Sequence, residues 1–502
     1  MTRAAPLKKA DIRALGLCGL VFLHVSLSAA LPMASAQESS PAPAEAPAAP
    51  TVPTPTEEKK EEKAPAPPAL PGAAAPVEPL SLQAPGLTAP PAAPGLGDRF
   101  QRRLQLLPPG QLLFDLSVEE EYDDNAFRLG GRREADFRTV IVPAVALERK
   151  RGRSSLSLRY TPRIFEYVRF PELNRVDQSL VAAGSWNPTP RLRASVRESL
   201  LITEDPVESS ALGIREVGLR RTTRNEVSPA FEIKLTNRSD LGLQYTNTVT
   251  DVENAGGDEG DDRTIHSGRI GLRRRFKRGG VSLAYTLTSA DFTESADFLG
   301  HEGTLNTTWR LNPKNELLLG AGGVFRDRKG DRDFTVVTGN VGLNHQFSRR
   351  LQSTTTAGFQ RFKESGSDPT RGFFTDSSLT WKVPRGSLTV RVERRFTESF
   401  NDIDNQGVID VLRGSASFSY QVGPRLSFAV TGSFAREDFE EQDRQDLINS
   451  VSVDVRYRLT RVLFLSMGYR RFDRNSDGAG EDLTTNRVFL GLSLRFSTPL
   501  PF

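Results

Sequence analysis

The sequence predicts an all-β fold, a transmembrane up-and-down antiparallel β-barrel of about 20 strands (18 as the fallback), preceded by a disordered Pro/Ala-rich segment. Three observations lead there. Apolar and polar residues alternate with period two from Gln111 onward, short turns recur at a near-constant spacing, and aromatic residues gather at two levels of the strands.

The N-terminal segment carries export signals. Arg3, Lys8, Lys9 and Arg13 form a positive leading region, Leu15 to Leu31 an apolar run, and Ala34-Ser35-Ala36 a small-x-small cleavage site before Gln37. Residues 1–36 therefore read as a cleaved signal peptide. The alternative, a short membrane anchor, fits less well because His24 and Ser26 interrupt the run. Cys18 is the only cysteine, and it follows Leu17 inside the apolar run, where a lipoprotein site would need a small residue. Cleavage would leave no thiol and so no disulfide framework.

Residues 37–110 are low in complexity. Pro41-Ala42-Pro43-Ala44 and Pro65-Ala66-Pro67-Pro68 favour extended polyproline II, and Glu57 to Lys63 is a solvated charge run. The segment reads as a semi-rigid periplasmic tether, with peptidoglycan or partner binding as the alternative. It is too Pro-rich to fold as the plug of a TonB-dependent transporter, and no autotransporter passenger is present.

Residues 111–502 read as the barrel. No run after residue 36 approaches the roughly 18 apolar residues of a membrane helix, but a barrel escapes that test because only alternate residues meet lipid. Leu426, Phe428, Val430, Gly432 and Phe434 make one apolar face, and Leu241, Leu243 and Tyr245 another. Val453, Val455 and Tyr457 continue the pattern, as do Val488, Leu490, Leu492, Leu494 and Phe496. Short turns fall near Arg151, Pro188, Asn237, Arg278, Pro313, Arg349, Arg385, Gly423 and Thr460, mostly 35 to 41 residues apart. Longer polar connections lie between them at 124–135, 204–217, 252–263, 294–298, 364–371, 400–406, 440–444 and 473–481. Short periplasmic turns alternating with long outer loops are the signature of an outer-membrane barrel. A β-propeller has a similar period, but its blades need four short strands where two long ones occur here.

Trp186, Phe276, Trp309, Phe347, Trp381, Tyr420, Tyr457 and Phe496 sit beside the short turns, as an inner interfacial belt would. Tyr122, Phe165, Phe292, Phe325, Phe362, Phe396 and Phe472 are the expected outer belt.

Arg487 to Phe496 (RVFLGLSLRF) resembles the C-terminal insertion signal of Gram-negative outer-membrane proteins, with Gly491, Leu494 and Phe496 at matching positions. It departs at Phe489, usually polar, and in the tail Ser497 to Phe502. Val118 to Phe127 (VEEEYDDNAF), Val140 to Leu147, Asp177-Gln178-Ser179-Leu180 and Trp186-Asn187-Pro188-Thr189 resemble the putative β-barrel porin-2 family. The similarity is pronounced over residues 111–200 and textural beyond. The resemblance implies a place beside exopolysaccharide and capsule systems. The expected partners are outer-membrane lipid, the barrel-assembly machinery, polysaccharide and periplasmic export proteins.

No enzyme chemistry is expected. His266, His301 and His345 lie on different hairpins, and no Walker loop, dinucleotide fingerprint or zinc-spaced Cys/His cluster occurs. No cofactor or metal is implied. The net charge of +4 does not point to nucleic acid.

What stands out is arginine opposite the apolar stripe: Arg159, Arg163, Arg193, Arg197, Arg269, Arg273, Arg275, Arg391, Arg395, Arg456, Arg458, Arg470 and Arg495. Facing a lumen, these either attract anionic solutes or polymers, or brace the wall through acids such as Glu393 and Asp454. The acidic runs Asp251 to Asp262 and Glu437 to Asp446 read as solvated loops, with Ca²⁺ or Mg²⁺ binding as the alternative. Asp123-Asp124-Asn125 suits an Asx-type turn. Three functions stay open: a conduit for exopolysaccharide or a related polymer, a general diffusion porin, and a structural or adhesive barrel.

Overall fold

The computed structural model describes residues 110–130, 133–205, 219–253, 262–293, 296–330, 332–398, 408–439, 444–478 and 482–499. The signal-peptide and tether readings for residues 1–109 lie outside them. Each alternating stretch forms one strand, because a period of two places every second side chain on the same side of a pleated backbone.

The chain begins with β1 (Gln111–Asp123), β2 (Asp136–Arg151), β3 (Ser154–Tyr167), β4 (Arg175–Thr189) and β5 (Leu192–Thr203). It continues with β6 (Arg221–Thr236), β7 (Ser239–Glu253), β8 (Arg263–Phe276), β9 (Gly279–Phe292) and β10 (Phe298–Asn312). Next come β11 (Asn315–Arg328), β12 (Phe334–Gln346), β13 (Leu351–Glu364), β14 (Thr370–Val383) and β15 (Gly386–Glu398). The last are β16 (Val408–Gln421), β17 (Leu426–Phe439), β18 (Arg444–Arg458), β19 (Leu463–Ser476) and β20 (Leu483–Pro499). Every strand pairs antiparallel with its chain neighbours, and β20 returns to β1 from Asp123↔Arg487 to Gln111↔Pro499. The 20-stranded sheet thus closes and leaves no open edge in the membrane.

All nine expected short turns are present, each connecting two strands through two to four residues. Two outer connections escaped the sequence reading. Residues 168–174 include a 3-10 turn, Pro171–Leu173, and carry apolar Val168, Phe170 and Leu173, so composition did not mark them as a loop. Residues 329–333 are short, and their charges merge with those of the strand before them.

Proline marks the places where the ladder fails. The β2–β3 register stops between Ile141↔Ile164 and Val145↔Tyr160, where Pro143 and Pro162 would face each other. The β6–β7 ladder lapses similarly beside Pro229. Proline has no N–H to donate.

The alternation assigns one set of side chains to lipid and the other to the lumen. Leu116, Leu243, Leu283, Leu319, Val451 and Leu490 are exposed on the outer face. Trp186, Phe276, Trp309, Phe347, Trp381, Tyr457 and Phe496 are likewise exposed, forming the inner aromatic belt. The outer belt needs correction. Tyr122 and Phe325 are exposed as expected, but Phe165, Phe362 and Phe396 are buried, while Phe137, Phe359 and Phe373 are exposed near the loops. Distance from a loop does not determine the face, and one residue of offset turns a side chain from lipid to lumen.

Phe489, the unusual aromatic in the last strand, is buried on the lumen side, with the Arg470 guanidinium 4.6 Å from its ring centre.

Candidate functional site

Cross-strand register places every candidate arginine on the lumen face. Arg159 pairs with Ala146, Arg197 with Ala183, Arg269 with Gln244, Arg391 with Ser378, Arg456 with Ser427 and Arg495 with Asp115. Arg163, Arg193, Arg273, Arg275, Arg395 and Arg458 share their faces at even spacing along the same strands.

The structure sorts them into two groups. Most brace the wall. Arg391 binds Asp376 at 2.9 Å and Glu393 at 3.0 Å, and Arg395 reaches Glu393 at 2.8 Å. Arg275 pairs with Asp240 at 3.1 Å, and Arg495 Nε donates to Asp115 at 2.8 Å. Arg458 donates to the Pro424 carbonyl at 2.8 Å and Arg159 to Thr161 at 3.2 Å. Arg163 and Arg456 lie over the rings of Phe165 and Phe464, and Arg470 stands 4.0 Å from Asp454.

Arg193 and Arg197 on β5, and Arg269 and Arg273 on β8, form no ion pair or hydrogen bond among the described residues. Glu232 is opposite Arg193 in the ladder without pairing with it, and Asp240, opposite Arg273, is held by Arg275. Arg269 Nε is buried without a hydrogen-bond partner. Two strands, β6 and β7, separate these pairs, so the four guanidiniums belong to one arc of wall.

A second cluster at the loop end of the lumen was not read from the sequence. Arg128, in the first loop, is fully buried and binds Asp123 at 2.7 Å and Asp205 at 3.3 Å. Arg487 reaches Asp205 at 3.1 Å, and Arg138 Nε donates to Glu121 at 2.9 Å. Tyr167 accepts from Arg138 at 2.6 Å and Arg175 at 3.0 Å, while both guanidiniums lie on the Phe165 ring. The loop also packs Ala126 against Val140, Phe165 and Tyr167. The Asx-type turn is realised: Asn125 N donates to Asp123 Oδ1 at 3.0 Å, and Asn125 Nδ2 donates to the Thr484 carbonyl on β20 at 2.9 Å. Burial raises the Asp205 pKa, but Arg128, Arg487 and Arg175 outweigh it and hold the carboxyl well below its ordinary range. The only forewarning was the Asp123-Asp124-Asn125 motif itself.

The remaining candidates are dispersed. His266, His301 and His345 all lie on the outer face, bonded to Tyr245 (2.7 Å), Tyr285 (2.7 Å) and Asn315 (2.5 Å). The centre of the Asp251 to Asp262 run lies outside the described residues. In the other acidic run, Glu437 is taken by Arg413 at 2.9 Å and Asp446 by Arg444 at 2.8 Å. Among the described residues no group of three metal-ligating side chains converges. Gly491 faces the lumen, where a Cβ would meet Glu119 Cγ at 2.5 Å. Leu494 and Phe496 face outward, and Phe496 stacks on Phe114 at 5.1 Å across the β1–β20 seam. The strand continues past it, with Ser497, Thr498 and Pro499 still paired to β1.

The closed antiparallel ring, its apolar outer face and its aromatic belts are those of an outer-membrane β-barrel. No curated protein matches the chain. Among solved structures it is similar to OccAB3 of Acinetobacter baumannii, at 11% identity over 77% of this chain and 99% of that one, TM-score 0.36. It is similar also to the FrpB iron transporter of Neisseria meningitidis, at 11% identity over 79% of this chain and 82% of that one, TM-score 0.49. The outer membrane protein opdK of Pseudomonas aeruginosa shows 11% identity over 77% and 99%, TM-score 0.37. The family resemblance recurs at a different place in the chain, since the segments that first carried it precede residue 200: residues 324–496, from β11 to β20, match the family model described as Putative beta-barrel porin 2.

Proposed function

We propose that the barrel is a passive, non-enzymatic outer-membrane channel whose lumen favours anions, and that it serves as a conduit for exopolysaccharide or a related anionic polymer. One observation carries the reading. Arg193, Arg197, Arg269 and Arg273 are bridged to no wall acid among the described residues, Glu302 acting on Arg269 only through its field, whereas Arg275, Arg391, Arg395 and Arg495 are bridged to wall carboxylates. A guanidinium already bridged to an acid offers little field to a passing solute; an unbridged one offers a planar, bidentate donor for carboxylate, phosphate or sulfate. Arranged along one arc, such groups act on a polymer collectively.

In this reading residues 1–36 are removed on export and residues 37–110 tether the barrel to periplasmic export proteins. The barrel-assembly machinery inserts it. A general diffusion porin for small solutes is the second reading, and it predicts passage without regard to charge.

Liposomes loaded with the purified barrel separate the two. Uronic-acid oligosaccharides should pass faster than neutral oligosaccharides of equal length. Equal rates would leave the diffusion porin, and passage of neither would overturn both.

A further inference from the structure

The outer face of β12 to β14 carries a feature the lumen reading does not use. Phe359 is 76% exposed, the most of any large apolar side chain described. Its partner on β12 is Gly339, where a Cβ would meet nothing, and on its other side Phe373 stands edge-on at 6.2 Å. A groove of about 750 Å³ follows, bounded by Val337, Gly339, Phe359 and Phe373.

At its upper end, toward the outer loop at 365–369, Arg361 and Arg371 face each other directly across the β13–β14 ladder. Like charges in that position repel. Neither makes an ion pair or hydrogen bond among the described residues, and Lys363, two positions further on the same outward face, makes none either. Elsewhere on the outer face near the loops arginines are neutralised: Arg394 by Asp410 at 2.7 Å and Arg436 by Asp438 at 3.1 Å. An apolar slot ending in unneutralised, opposed guanidiniums at the interfacial level matches one kind of ligand. It must carry acyl chains below and more than one phosphate charge above.

We infer that the outer face of β12–β14 binds a phosphorylated glycolipid of the outer leaflet, of the lipid A class. Arg361 and Arg371 grip a phosphate, Lys363 adds charge above them, and an acyl chain lies along Phe359, Phe373 and Val337 in the space that Gly339 leaves open.

The test is native mass spectrometry of the full barrel released from detergent, with bis-phosphorylated lipid A, its dephosphorylated form, phosphatidylglycerol and inorganic phosphate as probes. Wild type should retain lipid A in preference to the other three. R361Q/R371Q should weaken retention about thirtyfold, the worth of two cations facing an anionic lipid layer. R436Q, which alters a neutralised arginine, should leave it unchanged, and F359A should weaken it without changing the phosphate preference. If R361Q/R371Q fails to fold, R361K/R371K keeps the charge, loses the bidentate fork and should still lower retention. Retention unaltered in the arginine variants would overturn the site. So would equal retention of phosphatidylglycerol, or inorganic phosphate displacing lipid A.

Discussion

Replacing Arg128 with Met removes a cation that joins the first loop to both β1 and the residues just after β5. The guanidinium is fully buried, bonded to Asp123 at 2.7 and 3.0 Å and to Asp205 at 3.3 and 3.4 Å. Removing one member of a buried ion network leaves its partners desolvated and costs about 3 to 5 kcal/mol. Arg487 remains 3.1 Å from Asp205 and 3.7 Å from Asp123, so the lower end, about 3 kcal/mol, is expected. Urea unfolding of the purified barrel in lipid, followed by tryptophan emission, measures it. Adding D205N should recover part of the loss, because it removes an acid left short of cation. A loss under about 1 kcal/mol would show that the cluster behaves like exposed pairs and would refute the reasoning. The pH dependence follows from the same geometry. The folded-state pKa of Asp205 lies below its ordinary value, so its contribution is complete at neutral pH and lost as pH falls below about 4. D205N should lack that part of the acid slope.

Other consequences concern the wall and its seam. R391Q should cost only about 1 kcal/mol, because Arg391 and Asp376 are 39% and 40% exposed and Arg395 still holds the buried Glu393 at 2.8 Å, and it should leave ion preference unchanged in bilayer recordings. Truncation after Phe496 removes three pairings with β1 yet should still give a heat-modifiable folded band; removing Phe496 as well loses its stacking on Phe114 and should abolish that band. G279A should destabilise by about 1 to 3 kcal/mol in urea titration, since a Cβ there would lie 2.0 Å from the Thr308 carbonyl oxygen and only backbone movement relieves it.

Much of this fold was legible because its signals are local. Pro188, Asn237, Pro313 and Gly423 each mark a turn by their own backbone preferences, and Val488 to Phe496 declares its lipid face by simple alternation. The loop at 168–174 was hidden because Val168, Phe170 and Leu173 look like strand residues; Phe170 and Leu173 instead pack against the buried Ala126–Phe165 cluster. The lumen orientation of the arginines followed from parity alone, but their division into braced and unpaired did not. Whether Arg391 meets Asp376, or Arg275 rather than Arg273 takes Asp240, depends on register and on how long side chains lean along the strand. The rim cluster is less legible still. Arg128 and Asp205 are 77 residues apart, and the ring must close before Arg487 can join them.

The central claim, an anion-favouring lumen set by four unpaired arginines, is tested most directly by the reversal potential of the purified barrel in a planar bilayer under a KCl gradient. Wild type should conduct chloride in preference to potassium, and R193Q/R197Q/R269Q/R273Q should remain folded and lose most of that preference. A wild-type channel without anion preference, or a folded quadruple variant that keeps it, would contradict the account.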